Sequence, residues 1–232
     1  MCTTNWTEDT KRNKTIFTFS RRAKKMKKFL LAMAAALIVA GSAFAGSNSG
    51  TLDVGVAYGN ISVISKANNQ NHSDIGGWGF TVGYYEPLIP FLGIQANGFL
   101  VFPGSDGISY TTNGVTVTNT DYNKQVPFVF SGDLMVALNI PIAIFYIRAG
   151  AGIGYTLYDI NNYSSEIFAH QFSIPIFAAF GIDLGLFGVK AGCDIQFVFS
   201  EQQVQNGNTI DTKYNDKDYI NVFPYICASF KF

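Results

Sequence analysis

Apolar and polar residues alternate along most of the chain from about residue 50 to its end. A repeat of two residues is the period of a β-strand, in which neighbouring side chains point to opposite faces. The sequence therefore predicts strands whose two faces meet different surroundings. The apolar positions form eight stretches, within residues 52–58, 78–84, 92–102, 126–138, 145–157, 172–184, 189–199 and 220–232.

The two faces differ in composition. No charged residue falls on the apolar face, whereas the opposite face carries most of the glycines and all the strand charges. A barrel of about eight strands has an interior just wide enough for side chains, and in a membrane its apolar face points outward. The pattern predicts an all-β fold, an eight-stranded antiparallel up-and-down transmembrane β-barrel. A soluble lipocalin-like barrel would need the polar face in water, and this face is too rich in glycine and too thinly charged for that.

The connections between the stretches alternate in length, as short periplasmic turns and long outer loops do in such barrels. The predicted long loops are residues 65–77, 103–124, 159–170 and 201–218, and they are rich in Asn, Asp, Ser and Thr. The predicted short turns are residues 86–90, 139–142 and 185–186. Both chain ends are then expected in the periplasm.

An export leader precedes the barrel. The apolar run at residues 29–40 is too short for a membrane helix, lysines come before it, and Ala43-Phe44-Ala45 resembles a cleavage site. We therefore expect residues 1–45 to be leader and signal peptide, and residues 46–232 to be the outer-membrane barrel, beginning at Gly46. Translation starting at Met26 would make residues 1–25 an untranslated extension; starting at Met1, they are a long basic segment.

Removing the leader changes the charge. It holds nine of the sixteen Lys and Arg residues and two of the sixteen acids, so the mature chain has 7 basic and 14 acidic residues, net −7. A nucleic-acid partner is not expected, because no basic patch remains to neutralise phosphates.

With an export signal, four predicted hairpins and an aromatic C-terminus, the chain resembles the small outer-membrane barrels, the group of OmpX, OmpW and the transmembrane part of OmpA. The resemblance implies a bacterial outer-membrane location, contact with outer-membrane lipids, and insertion by the barrel assembly machinery. In that group a terminal aromatic residue with apolar residues at alternate positions before it is the assembly signal. The matching residues here are Ile226, Ala228, Phe230 and Phe232.

Five charged residues have inward parity at similar depth, a few residues above the predicted turns: Asp53, Asp133, Arg148, Lys190 and Asp194. We expect them to form one ion network in the lumen, with Arg148 paired to at least one of the three acids, because an unpaired buried guanidinium is costly. Such a network serves either as a structural plug or as the constriction of a narrow polar path.

Candidates for catalysis are few. Only His72 and His170 are available as bases, and Ser173 faces the lumen while His170 has outward parity, so we expect no catalytic residues. Cys193 is predicted to face lipid and Cys227 the lumen, which prevents a disulfide. No His or Cys pair has metal-ligand spacing, so neither a metal nor a cofactor is expected.

Two classes of function stay open: a structural or surface-interaction barrel that acts through its long polar outer loops and could take a surface ligand, and a narrow porin-like channel for small solutes or cations. We favour the first, acting as a monomer and not as an enzyme. A lipid-modifying enzyme is a third, weaker hypothesis.

Overall fold

The computed structural model describes residues 50–65, 72–112, 115–119, 126–162, 165–205, 208–210 and 217–232. These belong to the compact unit Asn48–Phe232. The expected leader and the expected new N-terminus at Gly46 lie outside the described residues. Within the described ranges, no helix is long and apolar enough to cross a membrane.

The described residues form ten β-strands. Eight are long and two, β4 and β9, are short. In chain order they are β1 (Thr51–Ser65), β2 (His72–Ile89), β3 (Leu92–Thr112), β4 (Val115–Asn119), β5 (Val129–Ile142), β6 (Phe145–Asn162), β7 (Ser165–Asp183), β8 (Phe187–Gln205), β9 (Asn208–Ile210) and β10 (Lys217–Lys231).

The eight long strands close into a barrel. Each pairs antiparallel with the next long strand along the chain, and β10 pairs with both β8 and β1. The closing register runs from Thr51↔Lys231 to Ser65↔Lys217. The short strands extend the wall at one end, where β4 pairs with β3 and β9 pairs with β8. The predicted eight-stranded antiparallel up-and-down barrel is thus confirmed.

The apolar face lies on the outside of the barrel. Trp78 and Ile153 expose more than two thirds of their surface, and many other large apolar side chains from all eight strands are exposed. Such a continuous apolar surface is unfavourable in water and suited to lipid. One position differs from the predicted parity: Val126 is buried, because it precedes β5 and packs in the interior cluster instead of following the strand alternation.

The strands are longer than the sequence predicts at the end away from the turns, which we call the outer end. There β3 continues to Thr112, and β6 and β7 are paired as far as Asn162↔Ser165. Many residues of the predicted loops 103–124, 159–170 and 201–218 therefore belong to strands. Polar sequence replaces the alternation there, but the backbone ladder continues.

The opposite end, which we call the turn end, carries both ends of the barrel chain and three tight turns. Strand pairing runs to Ile89 and Ile142, so two of these turns lie slightly later than predicted. Phe91 (φ 69°), Ala143 (φ 56°) and Gly185 (φ 98°) adopt left-handed backbone conformations in them.

Candidate functional site: the lumen

The layer nearest the turn end is a cluster of one acid and two cations. Lys190 donates a hydrogen bond to the Asp53 carboxylate, and the Arg148 guanidinium nitrogen Nη1 lies 3.8 Å from the same oxygen. Ser229 donates to the other Asp53 oxygen at 2.5 Å. All four side chains are buried. Strands β1, β6, β8 and β10 each supply one of them, so the cluster ties distant parts of the wall together.

Aromatic rings and amides hold the guanidinium of Arg148 in place. Its carbon Cζ lies 3.8 Å from the ring centroid of Tyr85 and 5.1 Å from that of Tyr146, which are cation–π distances. It also donates to Gln95 Oε1 at 3.0 Å and to Asn139 Oδ1 at 3.2 Å. Arg148 is thus satisfied mostly by neutral groups that sequence analysis did not assign to it.

Asp133 and Asp194 form a second group, nearer the outer end. Gln196 Nε2 donates to both Asp133 carboxylate oxygens at 2.9 Å, and Asn97 Nδ2 donates to Asp194 Oδ2 at 3.3 Å. Asp194 lies two residues before Gln196 on the same inward face of β8, so its carboxyl group neighbours that of Asp133. Within the described residues, neither Arg148 nor Lys190 donates a hydrogen bond to this pair.

The five residues of the predicted ion network therefore face the lumen in two groups. Two amides connect the groups: Arg148 donates to Gln95, Gln95 donates to Asn97 at 2.8 Å, and Asn97 donates to Asp194. An amide can donate and accept at once, which suits it to bridge a cationic and an anionic layer.

Neutral polar residues fill the next layer toward the outer end. Gln196 accepts from Thr156 at 2.9 Å and from Asn221 at 3.1 Å, and Asn221 also donates to Gln171 at 3.0 Å. Gln171 in turn donates to Glu201 at 2.8 Å. Buried polar groups joined in this way stabilise one arrangement of the strands.

Glu201 was predicted to lie in an outer loop, and the structure instead buries it in the lumen. The register between β7 and β8 shifts between Phe172 and Ser173. Ser173 pairs with Val198, whereas Phe172 pairs with Ser200, so β8 has one extra residue there. Such a β-bulge reverses the parity of the residues that follow it. The extra residue turns Glu201 inward, which period-two alternation alone does not predict.

Large aromatic side chains fill the space between the polar groups. The rings of Phe99 and Phe223 stack with centroids 4.7 Å apart, and the Tyr225 ring lies 5.9 Å from that of Phe99. Phe99, Phe177 and Phe223 are almost fully buried. The lumen is therefore less polar than the sequence suggests.

The inward glycines give these rings room. Gly150 pairs across the sheet with Phe177, and a Cβ atom added to Gly150 would lie 2.7 Å from the Phe177 ring. Gly192 and Tyr225 form the same kind of pair, with 2.6 Å to the tyrosine hydroxyl. Small residues beside large ones let a narrow barrel close around aromatic rings.

A cavity of about 710 Å³ opens at the turn end. Its lining comes from two of the three tight turns and from strand ends, and includes Tyr85, Tyr146 and Arg148. Because these three side chains are themselves buried, the cavity is a mouth that meets a filled interior. An ion pair between Lys231 and Asp183 lies at its rim.

Of the catalytic candidates whose side chains are described, His170 and Ser173 lie on opposite faces of the barrel wall. The Tyr155 hydroxyl lies 2.5 Å from His170 Nδ1, within hydrogen-bonding distance, whereas Ser173 is buried in the lumen. The side chain of His72 is outside the described part. Cys193 and Cys227 are free, and parity places them on opposite faces. Among the described residues, no group of three or more His, Cys, Asp or Glu side chains could hold a metal ion.

Comparison with solved structures agrees with this architecture. Neisserial surface protein A (NspA) matches with a TM-score of 0.51 and 8% identity, over 78% of this chain and 97% of NspA. The outer membrane protein OprG from Pseudomonas aeruginosa matches with a TM-score of 0.48 and 10% identity, over 80% of this chain and 96% of OprG. No protein-family model matches the sequence, and no curated protein matches it significantly.

The fold is that of the small eight-stranded outer-membrane β-barrels. The likeness to NspA, the closed antiparallel sheet and the exposed apolar surface together show an integral outer-membrane barrel. The assembly-signal residues predicted from the sequence lie on β10 or directly after it, and their role stays a prediction.

Proposed function

We propose that this protein is a non-conducting outer-membrane barrel that acts through its outer end, in a structural or surface-interaction role. The observation that carries this proposal is the filled lumen. Seven of the largest fully buried side chains in the described residues have inward parity and lie along the barrel: Gln95, Phe99, Gln171, Phe177, Lys190, Gln196 and Phe223.

The outer end of the barrel supports the proposal that the protein acts through a polar surface there. The edge-to-face pair of Tyr58 and Trp78, with centroids 5.3 Å apart, marks the end of the apolar outer face on β1 and β2. Beyond it the same face carries Asn60, Ser62 and Asp74, joined by hydrogen bonds. Strand β1 continues for seven residues past Tyr58, which is roughly 23 Å along the strand. This polar surface lies beyond the lipid and is available to a ligand.

Solute permeability tests the closed lumen. Proteoliposomes containing the refolded barrel should swell no faster in glycine or arabinose solutions than liposomes containing none, because no solute of that size passes the packed layers. A general porin reconstituted in the same lipid is the positive control. Swelling that depends on solute size, as through a pore, would overturn the proposal and favour a channel.

Cysteine labelling tests which end faces the cell exterior. We expect Ser62→Cys to react with a membrane-impermeant maleimide on intact cells, and Leu186→Cys at the opposite end to react only after the outer membrane is permeabilised. Leu186 is 81% exposed, so burial does not explain protection. The unmodified barrel gives the background from Cys193 and Cys227. The reverse labelling pattern would contradict a surface role for the outer end.

A further inference from the structure

The charges of the two lumen groups do not balance. These groups contain three buried carboxyl groups, from Asp53, Asp133 and Asp194, and two cations, Arg148 and Lys190. Both cations neighbour Asp53, so the surplus negative charge falls on the other two acids. A buried charge without a neutralising partner is strongly unfavourable.

The geometry of the acid pair leaves part of it without a partner. Gln196 donates a hydrogen bond to Asp133, and Asn97 donates one to Asp194 Oδ2. Asp194 Oδ1 accepts no hydrogen bond within the described structure. The two carboxyls are neighbours, because Gln196 binds Asp133 and lies two residues after Asp194 on the same inward face of β8. Two neighbouring ionised carboxylates repel each other, and neither can donate a hydrogen bond.

A neighbouring side chain gives independent evidence that something is bound beside the two acids. The Ser173 hydroxyl is buried and makes no hydrogen bond among the described residues. It lies 2.6 Å from the position of a Cβ atom on Gly154, and an Asp133 oxygen is the nearest atom to that same position. Gly154 thus leaves open the space onto which both oxygens face. The buried Tyr225 hydroxyl likewise has no partner.

We propose that one positive charge, either a proton or an alkali cation, is bound between Asp133 and Asp194. As a proton, it sits on one carboxyl and is donated to the other. As Na⁺ or K⁺, it is held by carboxylate oxygens of both acids together with the Ser173 hydroxyl. Either occupant restores charge balance among the five lumen residues and gives Asp194 Oδ1 a partner.

Titratable, charged and amide groups on the surrounding strands are buried in the lumen around the pair. They are Asp53 on β1, Asn97 on β3, Arg148 on β6, Lys190 and Gln196 on β8, and Tyr225 and Cys227 on β10. Cys227 and Tyr225 are neutral donors near neutral pH, so only Lys190 and Arg148 contribute opposite charge, and both are committed to Asp53.

The test compares the full barrel with Asp194→Asn, which keeps the side-chain shape and removes the surplus charge. Urea unfolding in lipid vesicles is measured from pH 5 to pH 9, in choline chloride and in NaCl or KCl of equal ionic strength. A bound proton means that the folded state holds one more proton than the unfolded state above about pH 4. The unfolding equilibrium constant of the wild type should then rise up to tenfold per pH unit relative to that of Asp194→Asn.

If the occupant is an alkali cation instead, replacing choline by Na⁺ or K⁺ should stabilise the wild type and leave Asp194→Asn unchanged. Asp53→Asn is the matched control, since it removes an equally buried acid that has two cationic neighbours. It should destabilise the barrel more than Asp194→Asn does. The proposal is overturned if wild type and Asp194→Asn respond identically to pH and to cation type, or if Asp194→Asn is as damaging as Asp53→Asn.

Infrared spectroscopy keeps the test decisive if Asp194→Asn does not fold. If the occupant is a proton, the folded wild type in choline chloride at pH 7 should show the carbonyl stretch of a protonated carboxylic acid, and Asp133→Asn should abolish it. If the occupant is an alkali cation, the carboxylate bands of the wild type should shift when Na⁺ or K⁺ replaces choline. Finding neither in the folded wild type would exclude both occupants.

Discussion

The ring of Phe223 stacks on the ring of Phe99, with centroids 4.7 Å apart, although β1 and β2 separate their two strands in the barrel wall. The contact therefore crosses the lumen. Phe223→Ala should lower the free energy of unfolding by about 3–5 kcal/mol, because it removes a fully buried ring and leaves a cavity. Urea titration of the barrel in vesicles measures this loss.

Phe180→Ala is the control for that substitution. Phe180 is also a strand phenylalanine, but half of its surface is exposed on the lipid side. Lipid replaces part of the lost contact, so the effect should be clearly smaller than that of Phe223→Ala. Equal losses of unfolding free energy for the two variants would mean that the Phe99–Phe223 contact stabilises the barrel no more than an exposed phenylalanine does.

Close packing around the inward glycines gives a second prediction. Gly150→Ala should destabilise the barrel by about 1–3 kcal/mol, since the new methyl group meets the buried Phe177 ring and the Val136 carbonyl oxygen. Gly98 lies on the outer face, where the nearest atom to an added Cβ is 3.5 Å away. Gly98→Ala should therefore leave the unfolding midpoint nearly unchanged, and a loss similar to that of Gly150→Ala would contradict the packing described.

Lipid exposure of the outer face gives a third prediction. Ile195→Arg places a charge on the apolar surface and should cost about 2–4 kcal/mol if the residue lies near the bilayer midplane. Ile195→Leu keeps an apolar side chain at the same position and should change stability little. The fraction of heat-resistant folded barrel on gels reports both, and tolerance of arginine would show that this face does not contact lipid.

The alternation of residues was enough to predict the fold and most inward and outward positions. It specified that Arg148 and Gln95 share a face, but not that they meet across the lumen, because period two carries no information on strand register or depth. For the same reason the stacking of Phe99 on Phe223 was not foreseen. The place of Gln196 is a further case: sequence parity makes it one lumen residue among many, whereas the structure shows it bonded to Asp133, Ser131 and Thr156.

The outer end shows where alternation stops being informative. Once a strand leaves the lipid, its outward residues become polar, as Ser62 and Asp74 do, and the sequence no longer distinguishes strand from loop. The backbone hydrogen bonds continue regardless, because pairing with a neighbour satisfies them in water as in lipid. A β-bulge such as that near Ser200 also leaves no mark in composition, so the burial of Glu201 could not be predicted.

Single-channel recording of the refolded protein in planar bilayers tests the filled lumen most directly. The wild type should insert, as verified by heat-resistant mobility, and show no steady openings, while Arg148→Ala, which empties part of the layer at the turn end, should conduct more often and unfold more easily. Steady ion-selective openings of the wild type, with Arg148→Ala changing selectivity but not stability, would contradict the closed barrel and identify a channel.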